Sequence, residues 1–179
     1  MTDVRQVIKR QMVRSGDTLL SALEPASGEE FFAGNVTGFS AAWTVGHLSC
    51  VADLFSSWFD GHLLFGYEFH QVFNETAATG TDIASRVALA RESYPKADLL
   101  PRFCQAMIKA MRALDAFDLA QWDAPAPPGA PVSLLTGGAV WEHLAVHAYW
   151  HLGELAGSMP RFAGTYTLNI LPHHLHYLS

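Results

Sequence analysis

Charge is scarce in this chain: Asp, Glu, Lys and Arg make up 16% of its 179 residues, against about 25% in an ordinary soluble domain. Basic groups are the scarcer sign, with 11 Lys and Arg against 17 Asp and Glu and a formal net charge of −6. Without a basic cluster the chain is a poor match for a phosphate backbone, which excludes nucleic acid as its main partner. Cysteine is nearly missing. Cys50 and Cys104 are the only two, too few for a disulfide framework, and they read as reduced, buried thiols. No apolar run approaches the ~18 residues of a membrane span. The opening segment MTDVRQVIKRQMVRSGD alternates charged with apolar residues and lacks the continuous core of a signal peptide. A cytoplasmic protein away from membranes is therefore expected. Phosphate-cradling patterns such as GxxxxGK[ST] and GxGxxG are absent, as is a Ser-His-Asp pattern.

What is present is apolar mass and histidine. Hydrophobic residues make up 50% of the chain, and nine residues are His. The length suits one domain over residues 1–179, with a core large enough to exclude disorder as its main state.

Helical periodicity dominates. Val4, Ile8, Met12, Leu19, Leu20 and Leu23 predict an amphipathic helix over about 3–24, stopped by Pro25. The stretch after it, to about residue 40, reads as loop. A second helix is expected over 41–60, with His47, Val51, Leu54, Phe55 and Trp58 on one stripe and Gly61 as its stop. Residues 61–94 are long for a plain loop. They predict a crossover with one short helix over TDIASRVALARES, capped by Thr81 or Asp82. A third long helix is expected over about 97–116. Pro101 is tolerable only in a first turn, which moves the regular start towards Asp98. The proline-rich run 123–131 predicts an extended connector. A fourth helix, over 137–158 and ended by Pro160, carries Val140, Leu144, His147, His151 and Leu155 on one face. The tail, about 161–179, has no periodic signal. Four long helices without a strand series predict an all-α helical bundle. The crossover and the connector argue against simple up-down-up-down hairpins.

The placement of histidine carries the chemistry. His147 and His151 are four apart, so they share a helix face about 6 Å apart along the axis. Two such imidazoles can converge on one divalent ion at about 2.0–2.1 Å, and His47 can supply a third nitrogen from another helix. A neutral histidine hydrogen-bonded in a core explains an H-x-x-x-H pair equally well. Against that, three histidines occupy positions in apolar stripes, where an unpartnered polar group costs roughly 1–3 kcal/mol. Ala148 stands where a zinc protease has its general-base Glu, so peptide hydrolysis by that route is unsupported. His143 offers a rival pair with His147, but cannot share an ion with His151, about 12 Å away along the axis. Glu154 shares the face of His147 and His151. It is a candidate catalytic residue, as acceptor for an imidazole N–H or as general base. Cys50 fits best as a small buried hydrophobe. Trp43, Trp141, Tyr149 and Trp150 read as core or as pocket walls. His62, His70, His173, His174 and His176 are expected at the surface.

Three segments carry a resemblance. SAAWTVGHLSCVADLF is similar to the Trp-x-x-Gly-His-Leu opening of the second helix in DinB-like (DinB/YfiT-type) bundle proteins. HLAVHAYWHLGELAGSMPRF resembles their His-x-x-x-His-x-Gly-Gln segment on the last helix, and YPKADLLPRF the Tyr-Pro start before their third helix. The resemblance implies a four-helix bundle of up-down-down-up topology with a long crossover between helices two and three. It implies a divalent metal ion, often zinc, nickel or iron, held by three histidines, which fall on His47, His147 and His151. His143 then becomes a packing or orienting residue. Relatives include thiol-dependent isomerases and S-transferases, and many form homodimers. The resemblance thus implies a metal-dependent hydrolase or thiol transferase acting on a small molecule, with a low-molecular-weight thiol as a candidate partner. A non-catalytic metal-binding or stress-response bundle is the alternative. Glu154 stands where the family usually has Gln.

Overall fold

The computed structural model describes residues 3–34, 39–74 and 83–158. The described residues are all-helical. The helices are α1 (Val4–Leu23), α2 (Gly28–Phe32), α3 (Ala41–Asp60), α4 (Tyr67–Phe73), α5 (Ile83–Ser93), α6 (Lys96–Ala116) and α7 (Gly137–Ser158), with a 3-10 turn at Leu119–Gln121 before α7. Only isolated bridges, Gly34 with Ser40 and Pro125 with Thr136, add β-type pairing among them.

The long helices start and stop for local reasons. Asp3 accepts from the backbone N–H of Arg5 at the start of α1. Ser40 accepts from that of Trp43 at the start of α3, satisfying donors the helix itself cannot. Gly61 ends α3 in the left-handed conformation, φ 72°, where a side chain would be strained. At the other end of α1, the Lys96 ammonium takes the backbone carbonyls of Glu24 and Ala26 at 2.7 and 2.5 Å. That contact ties the start of α6 to the end of α1.

Packing then follows the apolar stripes. Helix α3 lies against α6 and α1 against α7, and α1 also contacts α6 and α3 contacts α7. Met12, Leu19, Leu23, Trp43, Phe103, Leu114, Trp141 and Leu155 are wholly buried between them. Helix α3 is the innermost, buried along most of its length. Any polar side chain on its stripe is therefore held in the interior.

Several expectations need correction. The loop after α1 contains α2, started by a reciprocal Ser27–Glu30 capping box. The 61–94 crossover contains α4 as well as α5. Helix α6 begins at Lys96, so Pro101 lies in its second turn. The helix forgoes one backbone hydrogen bond there; its N-cap, Pro95, is extended (φ −65°, ψ 156°) and lies six residues upstream. The proline-rich run doubles back, with Ala126 N–H donating to the Leu135 carbonyl at 3.0 Å. His70 is buried, not at the surface, because α4 presses it against α3. His62 is exposed as expected. The expected cap at Thr81 or Asp82 and the tail histidines 173, 174 and 176 lie outside the described residues.

Candidate metal centre

Helices α3 and α7 bring His47, His147 and His151 together. One ligand atom from each lies within 4.8 Å of the others, and His47 and His151 are buried. The His47 ring meets those of His147 and His151 edge-on, each at 5.1 Å between centroids.

Two of the three tautomers follow from their partners. His47 Nδ1 lies 2.9 Å from the Phe73 carbonyl. A carbonyl only accepts, so Nδ1 carries the proton and Nε2 presents a lone pair. His151 Nδ1 lies 2.7 Å from Glu154 Oε2, which by the same logic leaves Nε2 as the donor atom to an ion. His147 Nε2 stands 3.0 Å from His151 Nε2. That contact is a hydrogen bond, with His147 Nε2–H donating to the His151 Nε2 lone pair; an ion would replace that proton and set the two nitrogens roughly 3.3 Å apart at about 2.0–2.1 Å from a tetrahedral zinc. The Nδ1 atom of His147 is buried without a hydrogen-bond partner. Burial, and after it His47, His151 and His143, push the His147 pKa down to about 2. Its ring is therefore neutral at any physiological pH, as a metal ligand must be. The donor set fits a divalent cation: three imidazoles with ligand atoms turned to one spot, two of them fixed by a hydrogen bond on the far side of the ring.

The surroundings of His47 show why its sequence neighbours are what they are. Trp43, one turn earlier, stacks on the imidazole at 4.8 Å between centroids and 7° between planes. Phe39 stacks in turn on Trp43 at 4.1 Å. Gly46 has no Cβ because the Phe73 ring occupies that space, and this close approach sets the Phe73 carbonyl on His47. Gly→Ala at an open helical position stabilises by up to about 1 kcal/mol. Here the sign is expected to reverse. Gly46→Ala should lose roughly 1–3 kcal/mol by overpacking and bind zinc about 10–100-fold more weakly as the Phe73 carbonyl shifts, checked by urea unfolding and competition titration.

A second buried cluster was not legible in the sequence. Asp53, wholly buried on α3, accepts at Oδ1 from Leu64 N–H and Lys109 Nζ, each at 2.8 Å. At Oδ2 it accepts from Phe65 N–H and His70 Nε2, each at 3.0 Å. Burial alone would raise its pKa, but the donors from His70, Lys109, Leu64 and Phe65 outweigh burial and hold it at about 2. His70 Nδ1 is left to face the Cys50 thiol at 3.1 Å. The atom order is that of a nucleophile triad. Yet Cys50 is wholly buried, and burial, then the Asp53 charge, push its pKa up to about 12. Burial thus favours the protonated thiol, which donates to His70 Nδ1 while His70 Nε2–H donates to Asp53. The cluster pins α4 to α3, and α4 ends at the Phe73 carbonyl that orients His47. The usable signal was a carboxylate, Asp53, set among Val51, Ala52, Leu54 and Phe55.

The other expected residues sort themselves by burial. Trp43 and Trp141 are core, whereas Tyr149 and Trp150 are exposed. Glu154 is partly exposed, with Oε1 accepting from Trp150 Nε1 at 3.0 Å. His143 lies beside His147, 4.6 Å between centroids with the rings tilted by 40°, but is not one of the three convergent residues. His143→Ala should leave zinc stoichiometry nearly unchanged by elemental analysis. If it alone empties the site, the ligand pair is His143 with His147.

No helix among the described residues is long and apolar enough to cross a membrane. No family model matches the chain, and neither does any curated protein or solved structure. The function therefore rests on the geometry of the site.

Proposed function

We propose that this chain is a metal-dependent enzyme of the DinB-like kind, an up-down-down-up four-helix bundle in which His47, His147 and His151 hold a divalent cation. The supporting observation is the convergence of three histidine ligand atoms within 4.8 Å, two of them held by Phe73 and Glu154 with the lone pair inward. Zinc, nickel and iron all suit imidazole nitrogen. When bound, such an ion supplies Lewis acidity at an open coordination position, which serves either hydrolysis or thiol transfer.

The remaining work falls to the chain's own side chains. Trp43 and the Phe73 carbonyl fix the plane of His47. Both carboxylate oxygens of Glu154 are engaged, by His151 Nδ1 and by Trp150 Nε1. Glu154 thus acts as a positioning residue that keeps the His151 proton on Nδ1, rather than as the general base. An enzyme is favoured over a purely structural metal bundle because closed structural sites use four protein ligands, and among the described residues the group contains three. Cobalt-loaded protein titrated with azide tests this. A change in the visible bands is expected from an exchangeable position. Bands indifferent to azide would indicate a closed site and favour the non-catalytic bundle.

A further inference from the structure

Beside the three histidines lies a cavity of about 360 Å³, near the lower end of the ~300–1,000 Å³ range of small-molecule sites. His47 and His147, two of the three convergent residues, form part of its wall. The apolar stripe of α3, with Val51, Leu54, Phe55 and Trp58, makes one side, and the connector lines another at Gly129 and Pro131. Phe55 and Trp58, which both line it, stack on each other at 4.4 Å and 24° and make that wall aromatic. The polar groups that reach the cavity are Asn74 and His143. No Lys, Arg, Asp or Glu lines it among the described residues.

We propose that this cavity takes a small molecule with an uncharged, flat, apolar body and one metal-seeking head, and disfavours a peptide-like thiol bearing charged groups. The head depends on the metal site proposed above; the body does not. A carboxylate or ammonium placed among Leu54, Phe55 and Trp58 would lose water and meet no countercharge among the described residues. An aromatic ring there gains both apolar burial and an offset stack. The small volume limits the body to about one ring with a short arm.

Two probes that share a thiol and differ in body test this: benzyl mercaptan and glutathione, titrated calorimetrically into the zinc-loaded and the chelator-treated full chain. Benzyl mercaptan is expected to bind the zinc-loaded protein at least tenfold more tightly than glutathione, and to retain weaker binding to the metal-free protein. Leu54→Trp, which fills the cavity, should weaken benzyl mercaptan at least tenfold on both forms. Trp58→Ala, which removes the stacking face, should weaken it as well and covers a Leu54→Trp chain that fails to fold. Glutathione binding as tightly as benzyl mercaptan, or aromatic binding indifferent to both substitutions, would overturn the proposal. If zinc does not bind but metal-free binding of benzyl mercaptan is lost in Leu54→Trp, the cavity assignment stands and the metal reading falls. If zinc binds and benzyl mercaptan binds neither form, the metal reading stands and this proposal falls.

Discussion

His47→Ala and His151→Ala are each expected to weaken zinc binding by more than about 100-fold. That exceeds the 10–100-fold usual when only the partner of a ligand is lost. The reason lies in the tautomers. Each of these rings has its Nδ1 proton held by a fixed acceptor, Phe73 or Glu154, so each arrives with its lone pair already oriented. Removing either leaves two imidazoles, and a two-nitrogen site competes poorly with water for a divalent ion. Glu154→Gln should fall in the smaller class, about 10–100-fold, because the ring stays in place and only its orienting charge is lost. Competition titration against a chromogenic chelator separates the two classes. Equal, small losses in all three variants would remove the ligand assignment.

Asp53→Ala is expected to have the largest effect on stability, about 3–5 kcal/mol in urea unfolding. Its carboxylate meets the Lys109 ammonium, the His70 ring and two backbone N–H groups in the interior. Lys109 is itself only 12% exposed at its side chain, so removing the carboxylate leaves a nearly buried cation with the backbone carbonyls of Asp53 and His62 and the more distant Asp60 carboxylate at 3.7 Å, a weaker set than the one it loses. The pH dependence has a definite sign. The folded-state pKa, about 2, lies below that of an ordinary aspartate, so this stabilisation is complete above the ordinary carboxylate range. It is lost as pH falls from there towards about 2, and is worth roughly 2 kcal/mol over that window. The stability gap between the natural chain and Asp53→Asn should therefore narrow below about pH 4. A constant gap down to pH 2 would mean that Asp53 is not held ionised by these donors. Because the same cluster pins α4, Asp53→Ala should also loosen the Phe73 carbonyl and weaken zinc binding.

The long helices were legible because their apolar stripes recur at helical spacing over twenty or more residues. Helix α3 runs over the expected 41–60 and α7 over the expected 137–158. Short helices give no such average. Helix α4 has seven residues and no side-chain cap, and it is held by tertiary contacts, chiefly His70 to Asp53. The α2 capping box was visible as Ser27 and Glu30, three apart, but the Gly and Asn around it read as loop. The convergence of His47 with His147 and His151 was legible because all three sit on interior stripes of long helices. The Asp53 cluster was not, because its partners come from 11 to 56 residues away, and no local pattern encodes that meeting. His70 was misplaced for the same reason: a histidine in a short aromatic segment shows no face until α4 docks. The Trp43–Gly46–His47 spacing acquires its physical meaning only with Phe73 in place.

The most direct measurement is an anomalous difference map from a crystal of the full chain grown with zinc, collected above the zinc absorption edge. One peak is expected between α3 and α7, about 2.0–2.1 Å from the Nε2 atoms of His47, His147 and His151. A protein soaked in zinc with no density at that spot, and with its three rings turned to separate acceptors, would contradict the metal centre.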